Sequence, residues 1–209
     1  MLIGALRAIR RYPVKSLRGE DLAACAVFPT GLDGDRNVAM IAGDGPRAGK
    51  PVRGKEHDRL HLASTLDDAR ASLGPRALHV EEDDDARFMD DAPVSLIVDR
   101  WLDGVSNYVG YRVEFERFRP NFYVEMAPGL AIDEAALTGR ELALGEVTLR
   151  VRYPIERCVV TTYDPNGGDA DPRILRYITQ ARSNWMGIYC DVPRAGTVRT
   201  GDSLELIER

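Results

Sequence analysis

Alternation of apolar and polar side chains is the most informative pattern in this chain. Between residues 146 and 153, Val147, Leu149, Val151 and Tyr153 alternate with Thr148, Arg150 and Arg152. That predicts a strand with one face in a core and the other wet or functional. Residues 203–208 repeat the pattern more weakly, and residues 112–118 set Val113, Phe115 and Arg117 opposite Glu114, Glu116 and Phe118, a third expected strand. Many short strands punctuated by Gly and Pro predict a mainly β, barrel-like sheet with a few helices, α+β in content, rather than a doubly wound fold.

Helical spacing is rarer. Asp171 as N-cap and Pro172 at the first helical position open a helix to about Arg182, with Ile174, Leu175 and Ile178 on one face. A second helix follows the apolar run at residues 94–98: Asp99 caps it, Leu102, Val105 and Val109 face the core, and Gly110 ends it. Residues 42–59 mix Gly, Pro, Lys and Arg without apolar period and read as a surface loop. The acidic run at residues 81–85 reads as a solvated turn. A seam at residues 85–91 divides the chain into an amino-terminal β-rich region, 1–88, and a core domain, 89–209.

Composition narrows the function. At 209 residues and 44% hydrophobic content, the chain can bury a substantial core. Its net charge of -5 gives nucleic acid no general electrostatic reason to bind. Nearly all positive charge is arginine, the residue suited to bidentate recognition of phosphate or carboxylate; the lysines are Lys15, Lys50 and Lys55. Cys25, Cys158 and Cys190 are odd in number and far apart, which argues against a disulfide framework and for a reducing cytoplasm. No stretch reaches the roughly 20 apolar residues of a membrane helix, and the first residues lack a signal-peptide core, so no membrane association is expected.

Three segments can carry chemistry. Arg157-Cys158-Val159-Val160-Thr161-Thr162-Tyr163-Asp164-Pro165 follows the strongest strand. A lone cysteine is more often a small buried hydrophobe, but Arg157 sets a permanent cation beside this one. A thiolate is also a soft metal ligand; one cysteine without CxxC or HxxxH spacing cannot build a protein-only zinc or iron–sulfur site. Any metal here needs most of its ligands from elsewhere. Phe118-Arg119-Pro120-Asn121 presents a guanidinium beside a rigid proline, and read alone it is as readily a surface strand end. Tyr12-Pro13-Val14-Lys15-Ser16 offers a phosphate-contacting Lys-Ser pair without P-loop glycines. Asp35-Arg36, after Gly31 and Gly34, reads first as a local ion pair. His57 and His61 lie four apart, but residues 59–62 read as a strand, and with His79 distant no metal pair is expected.

In order, these segments resemble the MOSC family, the domain shared by the carboxy-terminal regions of molybdenum cofactor sulfurases and by amidoxime-reducing proteins. The resemblance runs from Tyr12-Pro13-Val14-Lys15-Ser16 through Gly31-Leu32-Asp33-Gly34-Asp35-Arg36, Pro93-Val94-Ser95-Leu96 and Arg117-Phe118-Arg119-Pro120-Asn121. It continues through Arg157-Cys158 with Thr161-Thr162-Tyr163-Asp164-Pro165 to Gly201-Asp202. It implies a β-barrel MOSC core and a molybdenum–molybdopterin cofactor (no pyridoxal phosphate) whose dithiolene holds the metal while Cys158 completes its ligation.

Carried over residue by residue, Arg157 lies beside the metal ligand, and Lys15, Ser16, Arg36 and Arg119 clamp the cofactor's phosphate and pterin. Asn121, Thr161, Thr162 and Asp164 shape the pocket floor, and Tyr189 reaches the cofactor. One departure is Val98-Asp99-Arg100-Trp101, where many relatives are Ser/Thr-rich; the Trp and charged pair are expected to narrow the substrate mouth or alter the pterin contact.

The resemblance implies an oxidoreductase acting on a small-molecule substrate, reducing N-hydroxylated compounds. With no four-cysteine extension, its electrons are expected from an external ferredoxin, flavoprotein or cytochrome. The alternative is a non-catalytic cofactor carrier or sulfur-handling module using the same binding residues.

Overall fold

A computed structural model of the chain describes residues 1–73, 78–83 and 88–208. The amino-terminal part comprises β1 (Leu2–Arg11), β2 (Glu20–Leu22), β3 (Ala24–Phe28), β4 (Gly31–Leu32), β5 (Val38–Ala42), α1 (Leu66–Leu73) and β6 (Leu78–Glu82). Beyond it come β7 (Val94–Val98), α2 (Asp103–Val109), β8 (Phe122–Met126), α3 (Glu134–Leu137), β9 (Glu141–Leu144) and β10 (Val147–Glu156). The chain continues with α4 (Pro172–Ala181), β11 (Trp185–Arg194), β12 (Gly196–Arg199) and β13 (Ser203–Leu206).

Strands β13, β9, β10, β11, β7, β8 and β1 pair in that order, and β1 pairs back onto β13, closing a barrel. Only the β7–β8 pair within it is parallel. The amino-terminal strand is therefore a stave of a barrel built otherwise from residues beyond 93. Closure needs a close approach: a Cβ on Gly4 would lie 2.1 Å from the Glu125 carbonyl oxygen, a contact only glycine tolerates. Ile3, Leu6 and Ile9 of β1 are fully buried with Val124, Leu142, Leu149 and Ile188 of the facing strands. Each such side chain stabilises the fold by about 1.5–3 kcal/mol relative to exposure. The antiparallel β5–β6 pair covers a smaller core of Leu17, Met40, Val52, Leu60 and Leu73, and is joined to the segment after β1 by the Lys15 N–H to Val38 carbonyl bond.

The strands expected at residues 146–153 and 203–208 are β10 and β13. Tyr153 departs from the pattern: bulges on either side of it turn its ring out of the core, and its hydroxyl donates to Asp91 at 2.6 Å. The strand expected over residues 112–118 is instead a 3-10 turn, Phe115–Phe118. Its buried Arg117 finds carbonyl acceptors on a neighbouring loop, which a ladder partner cannot supply. Residues 59–62 are likewise a 3-10 turn, Leu60–Leu62, rather than a strand.

α4 matches its expected capping, with Asp171 accepting from the Arg173 N–H. After β7 a 3-10 turn, Asp99–Leu102, precedes α2, which ends at left-handed Gly110. Asp99 does not cap it; its carboxylate accepts from the Met126 N–H and so ties the turn to β8. In the acidic run, Glu81 and Glu82 belong to β6 rather than to a turn, while Asp84 and Asp85 lie outside the described residues. Among the described residues no helix is long and apolar enough to cross a membrane.

Candidate functional site

At one barrel end, β1 and β10 finish and β7 and β8 begin. Beside it, Ser16, Arg36 and Arg119 hold left-handed backbones, with φ of 71°, 53° and 53°. Among the described non-glycine residues only Ser183 and Asn184 share this strained region. Such strain costs on the order of 1 kcal/mol or more per residue and tends to gather at functional sites. All three residues line a single cavity of about 400 Å³.

Asp35, fully buried, organises this end. It accepts from the Tyr12 N–H at 2.6 Å, from the Asn121 amide at 3.1 Å and from the Arg36 guanidinium. The Arg36 N–H returns a bond to the Tyr12 carbonyl. Asn121 accepts in turn from the Ser95 N–H and hydroxyl. Asn121 thus acts as a bracket between β1, β7 and β8, with its amide committed to protein partners.

Seven cations and two carboxylates stand on the cavity wall, in a chain whose net charge is -5. Lys15 donates to Asp90 at 2.6 Å and to the Phe88 carbonyl at 2.9 Å. Burial alone would raise the Asp90 carboxyl, but Lys15, Arg36 and Arg119 together hold it below its ordinary value. Arg36 and Arg119 both lie over the Tyr12 ring, 4.7 and 4.3 Å from its centre. The Arg119 side chain has no hydrogen bond or ion pair among the described residues, and burial lowers its guanidinium to about 10. Ser16 donates to the Val52 carbonyl and accepts from the Gly54 N–H, so its proton anchors the loop bearing Arg53 and Lys55 to the cavity edge.

Across the cavity, Cys158 is exposed and precedes the 3-10 turn Val159–Thr162. Cys25 and Cys190 are buried, and burial pushes both thiols up, leaving them inert. Arg157 turns inward. Its Nε donates to the Met186 carbonyl and Nη1 to that of Phe118, while Nη2 is buried without a partner. Burial lowers this guanidinium, too, to about 10. Arg117 holds the segment after Cys158 by donating to the carbonyls of Thr162 and Tyr163 and to Asp164.

Of the residues singled out from the sequence, Lys15, Ser16, Arg36, Arg119, Asn121, Arg157, Cys158, Thr161 and Tyr189 line this cavity. Thr162 and Asp164 do not: Thr162 bonds back to the Val159 carbonyl, and Asp164 receives Arg117 and the Asn166 N–H behind the wall. Trp101 does not narrow a mouth. It is buried in the barrel core with its indole N–H on the Ile132 carbonyl, because β7 leads directly into the turn that covers the barrel.

The sequence reading missed Arg53, Lys55, Asp90 and His61 on the wall. A signal existed in that two of the three lysines fall in the loop at residues 42–59. His61 stacks on Tyr163 and bonds to the Asp164 carbonyl at 2.7 Å. Among the described residues no group of His, Cys, Asp and Glu is placed to hold a metal unaided.

The MOSC domain family matches residues 83–205. Mitochondrial amidoxime reducing component 2 of Rattus norvegicus is 28% identical over 129 residues, covering 55% of this chain and 37% of that protein. Molybdenum cofactor sulfurase of Caenorhabditis elegans is 30% identical over 129 residues, covering 59% of this chain and 18% of that protein. The match thus spans well under half of either relative. The crystal structure of the YUAD protein from Bacillus subtilis has the same fold, with a TM-score of 0.59 at 16% identity over 99% of this chain and 96% of that one.

Proposed function

The chain belongs to the MOSC domain family, and on that premise we propose that it binds a molybdenum–molybdopterin cofactor through Cys158 and reduces N-hydroxylated compounds with electrons from an external donor. One observation carries this reading. An exposed thiol, Cys158, and a half-buried guanidinium without a counter-ion, Arg119, share one cavity. A guanidinium that lines a cavity with no counter-ion leaves its fork of donors open, which favours an anion as the intended occupant.

The residues present fit the group. The cationic wall suits a phosphate, and a single thiol suits a metal whose other ligands come with the cofactor. When bound, the cofactor supplies the two-electron centre that takes oxygen from an N–O bond. The chain's own contribution is positional. Lys15, Arg36 and Arg119 hold the phosphate and pterin, and Ser16 holds the Arg53–Lys55 loop against them. Arg157, fixed by two carbonyls, sets the backbone from which Cys158 projects. The amidoxime reducing component among the relatives supports the reductase assignment. A ferredoxin, flavoprotein or cytochrome is the donor class such a reaction requires.

Freshly purified protein should carry molybdenum and reduce an amidoxime or hydroxylamine with an artificial donor. Cys158→Ala retaining both full metal content and full activity would refute the assignment. The relative named molybdenum cofactor sulfurase supports a second reading, a cofactor carrier or sulfur-handling module. Loaded protein that stays silent with every N-hydroxylated substrate selects that one.

A further inference from the structure

Arg36 and Arg119 are like charges gathered on one phenol ring: the Arg36 guanidinium reaches the Arg119 backbone carbonyl at 3.4 Å, and both guanidiniums pack against the Tyr12 ring. Asp35 pairs with Arg36, but Arg119 has no ionic partner among the described residues. What Arg119 does have is the face of Tyr12, itself buried and anchored by its hydroxyl on the Pro120 carbonyl at 3.2 Å. Cations over an aromatic face are attracted by its quadrupole, the more so where water is scarce. The ring's seat is also built: a Cβ on Gly19 would lie 2.5 and 2.7 Å from two Tyr12 ring carbons, so glycine at 19 leaves room for the phenol.

We propose that Tyr12 is a positioning residue whose ring is the shared platform holding Arg36 and Arg119 together as one anion-binding wall, with Gly19 providing the platform's seat. This rests on the reading that the cavity receives the anionic end of a cofactor. The phenol touches neither metal nor substrate. It acts through the two arginines, keeping a guanidinium that would otherwise swing toward solvent aimed into the cavity. Its hydroxyl is secondary, since both cations sit over the ring.

The test measures inorganic phosphate binding by calorimetry on the full chain purified from a host that does not make the cofactor. Tyr12→Phe should bind within about twofold of wild type. Tyr12→Leu should bind tenfold or more weakly, about 1.4 kcal/mol by the tenfold rule. Rescue by Phe separates a platform role from simple packing, and Leu6→Ala, remote in the barrel core, controls for lost stability alone. Should Tyr12→Leu not fold, Gly19→Ala decides, because it displaces the ring without removing it and should weaken phosphate binding severalfold. Unchanged affinity in Tyr12→Leu or Gly19→Ala, or equal loss in Phe and Leu, overturns the proposal. Wild type that binds no phosphate overturns the anion-site reading as well, whereas wild-type binding with unaffected variants removes only the role of Tyr12.

Discussion

Arg117 donates from Nη2 to Asp164 at 3.1 Å, joining the turn before β8 to the segment that follows Cys158. With its side chain 2% exposed, Arg117 also serves two carbonyls of that segment and Glu114. Arg117→Met strands those acceptors in a buried setting and should cost about 3–5 kcal/mol. The expected thermal midpoint falls by roughly 6–20 °C at this chain size. Limited proteolysis should then cut near Cys158 first. Arg117→Lys should recover little, since an ammonium cannot span the four acceptors as the planar fork does.

Arg119 sets function against stability. Its guanidinium is half-buried, has no counter-ion and is disfavoured by desolvation and by the charge of Arg36, so an apolar side chain of similar length should stabilise the cofactor-free protein. For Arg119→Met a gain of about 1 kcal/mol, or roughly 2–4 °C, is expected in a thermal melt, with a loss of phosphate affinity. A lower midpoint would mean that the guanidinium is structurally required.

Gly187 stands against Arg157. Its φ is +85°, and a Cβ there would lie 2.9 Å from the Leu96 carbonyl and 3.0 Å from Arg157 Nη2. Gly187→Ala should destabilise the barrel by about 1–3 kcal/mol through backbone strain and crowding. Because it displaces the side chain behind Cys158, molybdenum content should drop even in the fraction that folds.

The pH dependence separates two groups. Burial holds His61 below its ordinary 6.5; the Asp164 and Asp58 backbones and the Asp164 charge pull the other way, and Arg119 adds to the lowering. The unfolded chain therefore binds a proton first, so His61 favours folding above about 6.5 and that contribution is lost as pH falls below it. Asp171 is lowered to about 2, chiefly by its hydrogen bond with Arg173, from an ordinary 3.8. Its contribution is intact above 3.8 and is lost as pH falls toward 2. Denaturant melts across pH should show two steps. The upper one should vanish in His61→Gln, and the lower one should shrink in Asp171→Asn.

Local pattern carried much of the architecture. The alternation through Val147, Leu149 and Val151 marks β10, and Asp171-Pro172 marks α4, because strand and helix periods and capping are short-range properties. Tyr153 and Phe115–Phe118 escaped it: a bulge and a 3-10 turn are chosen by what lies across the fold.

The sequence by itself picked out Lys15, Arg36, Arg119 and Cys158, which stand in recognisable strings and line one cavity. Only the tertiary structure decided which of their neighbours face the cavity. It turned Thr162, Asp164 and Trp101 away from the cavity and brought Arg53, Lys55 and His61 to its wall. The reason is geometric. Barrel closure through β1 brings residues more than a hundred positions apart, such as Tyr12 and Pro120, within hydrogen-bonding reach, and no spacing along the chain encodes which side chain will find an unoccupied partner there.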